Sequence, residues 1–367
     1  MKILYTTDQL FLHGGIEKVL SQKANYLAEV LGDEVFILTT NQNGNQPCYQ
    51  LSDKINIQDL DINYNVEKSY FHPQNLKKVP IHLSKLIKAI KFIKPDVLVS
   101  CSFGTDFFFL PFIRKEVPKV KEFHASRFFS SQPSSIKKKV IRKLGEMVEK
   151  KYDAIAVLNP DEKKYYNSNH VVVIPNPTEF DTGVSDVHSK KILAAGRISP
   201  VKNFGDLIDA FSKLSNDFPE WELHFFGEDY LGTRKLLQEK INHLTQQNQI
   251  FFKGVSSNLK REMQQYSIYG MTSETECFPM VLLEALSTGL PVVSYDSPTG
   301  PRHILTDNSD SFVVPYKNLD IFTEKLRQLM ANENLRKEMG GNAKINAQRF
   351  EISEIMRQWK FLFESLM

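Results

Sequence analysis

Two glutamates, Glu276 and Glu284, frame the chemistry-bearing stretch Ser273-Glu274-Thr275-Glu276-Cys277-Phe278-Pro279-Met280-Val281-Leu282-Leu283-Glu284-Ala285. A helix is predicted to begin at Pro279, whose missing N–H would be unpaired in a first turn. It runs to about Thr288, with Gly289 as C-terminal cap and Pro291 beyond. Glu276 then lies in the loop before the helix, and Glu284 about one and a half turns inside it. The free N–H groups around Phe278, Pro279, Met280 and Val281 offer a phosphate site. Glu284 can accept hydrogen bonds from two adjacent hydroxyls, as on a ribose, while Glu276 sits nearer to a sugar. The residues alone also allow a first-turn carboxylate that favours the helix dipole, plus a surface glutamate. The apolar neighbours of Glu284 (Val281, Leu282, Leu283, Ala285, Leu286) weigh against that, because a carboxylate seldom belongs there without a partner.

Two further loops could hold an anion. Gly196-Arg197-Ile198-Ser199-Pro200-Val201-Lys202-Asn203 joins a predicted strand, Lys191–Ala195, to a predicted helix, Phe204–Leu214. Arg197 can fork onto phosphate oxygens and Lys202 can supply a point charge; from spacing alone they are as readily two solvated cations. Near the start, Leu10-Phe11-Leu12-His13-Gly14-Gly15-Ile16-Glu17 leads from a strand into a helix. Gly14 and Gly15 let backbone N–H groups approach an anion, or simply serve a tight turn needing positive φ. The spacing is not GxGxxG, so the dinucleotide fingerprint is absent.

The elements that must position these loops alternate. Short β-branched or aromatic runs (Lys2–Thr6, Glu34–Thr40, Asp96–Ser100, Lys119–Phe123, Asp153–Leu158, Val171–Ile174) are separated by amphipathic stretches, notably Gly15–Leu31, Ile81–Ile93 and Ser135–Lys150. A second series follows at Lys191–Ala195, Glu222–Phe226, Gln249–Lys253, Ile268–Thr272, Pro291–Tyr295 and Ser311–Val314, closed by helices at Phe322–Met330, Glu333–Phe350 and Ile352–Leu366. Such alternation implies parallel βαβ units, whose ligands bind at the loops following the strands. The fold expected is α/β, with two doubly wound Rossmann-like domains facing a cleft. Its parts are 1–177, a polar linker 178–189, 190–350, and a C-terminal helix 351–367 packing back toward the first domain. A length of 367 residues fits two domains of ordinary size.

Composition excludes several classes. Hydrophobic residues at 41% and charged residues at 24% are those of a globular protein. The three cysteines, Cys48, Cys101 and Cys277, show no paired spacing, against a disulfide framework or zinc site and in favour of a reducing compartment. No export signal and no run of ~20 apolar residues is found, so a cytoplasmic protein is expected. Residues 1–180 carry 25 Lys and Arg against 19 Asp and Glu, while residues 181–367 carry 21 against 24. The basic first half either meets something anionic or is merely solvated.

In sum of motifs, the chain resembles family 4 retaining glycosyltransferases. Glu276 and Glu284 match that family's E-x7-E signature, Gly196-Arg197 through Lys202-Asn203 its diphosphate loop, and His13 through Glu17 its N-terminal glycine loop. Glu122-Phe123-His124 matches the strand end bearing its active-site histidine, and Ile174-Pro175-Asn176-Pro177 its pre-linker strand. The matches run in the right order along nearly the whole chain. They depart at Glu276-Cys277-Phe278-Pro279, where the family often has E-G-F-G; Cys277 and Pro279 stiffen that loop. The resemblance implies the GT-B fold, a nucleotide-sugar donor as substrate, no cofactor, and retention of configuration without an enzymic nucleophile.

On that reading the diphosphate sits between Arg197, Lys202 and the helix N-terminus, and His124 hydrogen-bonds the sugar of an oxocarbenium-like transition state. The base meets backbone near Gly227 and Gly254-Val255. Uridine is favoured by the likeness of Ser297-Pro298-Thr299-Gly300-Pro301-Arg302 to members using UDP-hexoses or UDP-N-acetylhexosamines. No metal is expected, since no DxD or ligand spacing appears. The acceptor expected is a glycan, lipid-linked in many family members. The helices at Ile81–Ile93 (Lys85, Lys88, Lys91) and Ile136–Lys151 (Lys137, Lys138, Lys139, Arg142, Lys143, Lys150, Lys151) suit the anionic inner face of the cell membrane. Nucleic acid is not expected, because aromatics are not interleaved with the basic runs. The rival readings are another GT-B enzyme, an epimerase or phosphorylase, and a non-catalytic sugar-binding protein.

Overall fold

The computed structural model describes residues 1–102, 104–128, 136–180, 183–244 and 247–367. Ser135 and the side chains of Lys137 and Lys138, which the sequence places in a basic helix, lie outside the described residues. The chain divides into two compact units, Met1–Pro177 together with Ile352–Met367, and Thr178–Glu351.

The first unit is built on strands β1 (Lys2–Thr7), β2 (Glu34–Thr39), β3 (Asn56–Asp59), β4 (Val97–Ser100), β5 (Lys119–Glu122), β6 (Ala154–Val157) and β7 (Val171–Val173). They form a parallel sheet ordered β3-β2-β1-β4-β5-β6-β7. Its helices are α1 (Gly15–Glu29), α2 (Pro73–Leu76), α3 (Val79–Ile93), α4 (Asp106–Phe109) and α5 (Ile136–Glu149). Apart from Lys2 at the start of β1, the central strands are buried, as a sheet covered on both faces requires. Strand β3 reads Asn-Ile-Gln-Asp and is mostly exposed, so it carries no apolar run by which the sequence could announce it.

The second unit holds β8 (Lys191–Ala195), β9 (Glu222–Phe226), β10 (Ile250–Gly254), β11 (Ile268–Met271), β12 (Val292–Tyr295) and β13 (Ser311–Val314). Its parallel sheet runs β10-β9-β8-β11-β12-β13. Helices α6 (Phe204–Leu214), α7 (Thr233–Asn242), α8 (Leu259–Met263), α9 (Met280–Ser287), α10 (Leu319–Ala331) and α11 (Glu333–Ala347) accompany it. Helix α6 buries Phe204, Leu207, Ile208, Phe211 and Leu214, the spacing of one helical face, at about 2 kcal/mol for each large side chain removed from water. Residues 178–189, read from sequence as a linker, are part of this unit. Ser185 donates its N–H to Thr288 at 2.8 Å and its hydroxyl to the Gly289 carbonyl at 2.7 Å, and the Asp186 N–H reaches Gln264 at 2.9 Å. A polar composition marks a segment without secondary structure; it does not tell whether the backbone is bonded down.

The last helix, α12 (Ile352–Ser365), belongs to the first unit. Its buried residues Ile355, Met356, Trp359, Leu362 and Phe363 share one helical face and join the core with Leu20, Ala24 and Leu27 of α1.

Candidate active site

Both sheets reverse their strand order beside their first strand, between β1 and β4 and between β8 and β11. Loops leaving neighbouring strands diverge at such a point and open a crevice at the carboxyl ends of the strands. In the second unit these are the loops after β8 and β11, which carry Arg197, Lys202 and Glu276. Lys202 Nζ donates to Glu276 Oε1 at 2.6 Å, with side chains 20% and 13% exposed. Further bonds pin the two loops together: the Glu274 N–H reaches the Val201 carbonyl at 2.7 Å, and the Thr272 hydroxyl reaches that of Asn203 at 2.8 Å. Arg197 is exposed and its guanidinium lies over the Tyr230 ring, 5.4 Å from the centroid.

Glycine is required beneath this loop. Gly196 has φ +139° and Gly227 φ +149°, and a Cβ on Gly227 would collide with the carbonyl oxygen of Gly196. The ends of β8 and β9 therefore touch backbone to backbone. Val255, after β10, is 57% exposed at the same edge.

The loop carrying Glu276 is held by the segment after β12. Glu276 donates its N–H to the Pro298 carbonyl at 2.9 Å, and its own carbonyl accepts from Thr299 and Gly300 at 2.6 and 2.8 Å. Cys277, Phe278 and Pro279 are buried. Pro279 is the N-cap of α9, extended at φ −69° and ψ 117°, one residue outside the helix the sequence reading began with it. Met280 and Val281 form the first turn, so their N–H groups lack intrahelical partners. Glu284 sits on α9 and is only 5% exposed, among the apolar residues the sequence reading named.

In the first unit the glycine loop differs from expectation. Gly14 is the extended N-cap of α1, at φ −110° and ψ 161°, so no left-handed turn calls for it. It is small because the Glu17 carboxylate folds against it, where a Cβ would fall on Glu17 Oε2. Glu17 is buried and accepts from Gln9 Nε2 at 2.6 Å. The Glu17 carboxylate thus stands at the start of α1, on the side the helix dipole favours.

His124 follows β5, with its side chain 6% exposed. Burial pushes its pKa down to about 4; Glu122 opposes that shift, and Lys23 and Lys121 add to it. The ring is therefore neutral at neutral pH. The sequence reading missed what lies around it. Lys23 on α1 is buried and paired with Glu122, Cys101 donates to Glu122 at 3.4 Å, and Lys121 is fully buried with its pKa lowered by burial. A lysine inside an amphipathic helix reads as a solvated face, so no sequence signal marked Lys23. Cys101, Glu122 and His124 offer ligand atoms within 4.8 Å of one another. Lys23 already engages both carboxylate oxygens, so the cluster is charge-balanced without an ion.

Comparison with known proteins agrees with this architecture. Residues 13–181 match the family model described as Glycosyltransferase Family 4, and residues 176–346 that described as Glycosyl transferases group 1. The chain is 27% identical over 376 residues to the amylovoran biosynthesis glycosyltransferase AmsD of Erwinia amylovora, covering 98% of each chain. It is 26% identical over 357 residues, 94% of each chain, to the GalNAc-alpha-(1->4)-GalNAc-alpha-(1->3)-diNAcBac-PP-undecaprenol alpha-1,4-N-acetyl-D-galactosaminyltransferase of Campylobacter jejuni. The fold is also that of S. aureus TarM, solved in complex with Fondaparinux, alpha-GlcNAc-glycerol and UDP, at a TM-score of 0.79 and 14% identity over 99% of this chain and 100% of that one. Matched in order along both of its halves, the chain belongs to the GT-B glycosyltransferases of family 4.

Proposed function

We propose that this glycosyltransferase moves a hexose or N-acetylhexosamine, with retention of configuration, from a UDP-linked donor to a lipid-linked precursor of a cell-surface polysaccharide. The observation that carries the reading is the second unit's switch point, where Lys202, Glu276 and the start of α9 meet. Lys202, Arg197 and the N–H groups of Met280 and Val281 would hold the diphosphate and stabilise the charge it gains on leaving. Lys202 is balanced by Glu276 until the diphosphate supplies a second anion. Glu284 would accept from the ribose hydroxyls, and backbone near Gly227 and Val255 would meet the base. Glu276, with Cys277, Phe278 and Pro279 as its stiff frame, lies on the sugar side.

In the first unit, His124 would hydrogen-bond the sugar as a neutral ring, and Gly14 and Gly15 keep their loop slim. No side chain need attack: the departing phosphate takes the acceptor's proton on the face it leaves. Support for uridine comes from TarM, solved with UDP, and for a lipid-linked acceptor from the C. jejuni relative, whose name specifies an undecaprenol-linked glycan.

The same reading includes reversible docking on an anionic membrane. Val140, Leu144 and Met147 stand exposed on one face of α5, beside exposed Lys139 and Lys143. Phe92, 87% exposed at the end of α3, is flanked by Lys88, Lys91 and Lys94. Among the described residues no helix is long and apolar enough to cross a membrane. A face of this kind attracts acidic lipid at about 1 kcal/mol for each cation near the surface.

The deciding experiment is a thermal-shift screen with UDP-, GDP- and ADP-sugars, followed by product analysis with the labelled donor that stabilises most. Transfer of label to a glycan with its anomeric configuration kept is expected. Recovery of an epimerised sugar or a sugar phosphate instead would replace this reading with one of the rival GT-B activities.

A further inference from the structure

A buried ion pair beside His124 takes no part in the transfer chemistry above. Lys23 is 1% exposed, and its Nζ donates to both oxygens of Glu122, at 2.7 and 2.6 Å. The Trp359 ring, on α12, lies over the ammonium with its centroid 3.8 Å away, and the Tyr5 ring of β1 is at 5.5 Å. Glu122 Oε1 is 3.4 Å from His124 Nε2, while Glu122 Oε2 accepts from the Cys101 thiol at 3.4 Å. Lys121, also buried on β5, is engaged elsewhere, on the carbonyl oxygens of Ser100 and Ser102.

Taking two charges out of water is costly, and packed apolar residues of like volume often serve stability as well. The pair therefore needs a local reason, and its position supplies one. A carboxylate against an imidazole draws a proton onto the ring unless another charge cancels it. Lys23 is that charge. Burial of the ring is the larger influence in the same direction and Lys121 adds to it, so His124 stays neutral down to about pH 4.

We propose that Lys23, seated under Trp359, is a positioning residue for the transfer: it balances Glu122 so that His124 meets the donor sugar uncharged. The inference rests on the role given to His124 above. A neutral ring can share a hydrogen bond with a sugar hydroxyl, whereas an imidazolium would repel the positive charge growing at the anomeric carbon. Trp359 favours the ammonium in place through its ring face.

The test uses the full chain and two readouts. The first is the NMR titration of His124, assigned by its loss in His124→Ala. The second is UDP release against pH from UDP-glucose, UDP-galactose and UDP-N-acetylglucosamine, whichever turns over. In Lys23→Met the midpoint of the His124 titration should rise by about one pH unit or more. kcat should fall as pH drops through the raised midpoint, by about half at the midpoint and about tenfold one pH unit below it, and recover as pH rises. UDP affinity should not change. The double variant Lys23→Met with Glu122→Leu removes both charges at similar volume, and it should return His124 to neutrality and most of the lost rate. That recovery separates charge balance from a merely structural role, and it remains readable if the single variant does not fold. An unmoved titration and rate profile in folded Lys23→Met would overturn the coupling. A fully active His124→Ala would instead overturn the role of His124 itself, whatever the titration shows.

Discussion

Replacing His124 by Gln should remove a loss of stability that the first unit suffers as pH falls. The folded ring has a pKa of about 4, held down first by burial, against an ordinary imidazole value near 6.5. Above pH 6.5 neither the folded nor the unfolded ring carries a proton, so the group contributes no pH dependence. As pH falls through 6.5 the unfolded chain takes up a proton that the folded chain refuses, and stability drops until the folded ring also titrates near pH 4. At ~1.4 kcal/mol for each pH unit crossed between those two values, the loss is about 2 kcal/mol by pH 5 and approaches about 3 kcal/mol at pH 4. His124→Gln lacks this component, so the stability difference between wild type and variant should change by about 2 kcal/mol between pH 7 and pH 5. Carboxylates common to both proteins cancel in that difference. The chain has two tryptophans, Trp221 in the second unit's core and Trp359 in the first's. The two units need not unfold together. Urea unfolding in a Trp221→Phe background, followed by Trp359 fluorescence, therefore reports the first unit. A difference that stays flat from pH 7 to pH 5 would refute the claim that His124 is desolvated.

Three other outcomes are expected. Glu284→Ala should weaken UDP binding tenfold or more, because hydrogen bonds to a charged acceptor are worth about 1.5–3 kcal/mol; calorimetry showing unchanged affinity would take Glu284 out of the site. EDTA should leave transfer intact, and activity abolished by chelator and restored by Mg²⁺ or Mn²⁺ would contradict leaving-group stabilisation by Arg197, Lys202 and α9. Co-sedimentation with anionic liposomes should be strong at low salt, fall as the Debye length shortens below ~8 Å, and weaken with Lys139→Glu and Lys143→Glu; indifference to acidic lipid at low salt would argue for a soluble acceptor.

Much of the fold was legible because apolar runs bounded by turn residues fix buried strands. Lys191–Ala195, Glu222–Phe226 and Ser311–Val314 match the observed limits of β8, β9 and β13, and Phe204–Leu214 is α6. Edge strand β3 escaped because its polar residues face solvent, and α7 because its charged residues leave a weak apolar stripe. In the site, loops following strands could be read, since chain order locates them. Pairing between loops could not. Nothing in the spacing of Lys202 and Glu276 says that they bond, because that contact depends on which loops the strand order brings together; the fold of Glu17 onto Gly14, three positions away at the start of α1, is a local contact. The charges beside His124 were hidden for a different reason. Lys23 and Glu122 are 99 positions apart, and each alone looks like a residue bound for water.

The return of α12 to the first unit also bears on the order in which the protein can be made. Residues 178–351 form an uninterrupted unit and can close their core as soon as they leave the ribosome. The first unit emerges earlier but must wait. The core that holds Leu20, Ala24 and Leu27 of α1 stays incomplete until Ile355, Met356, Trp359, Leu362 and Phe363 arrive. During that interval the nascent chain lacks the wall that α12 supplies, including the Trp359 ring over Lys23, a gap suited to a chaperone. A chain stopped at Glu351 would keep that gap for good, with its second unit folded and its first unit short of a wall.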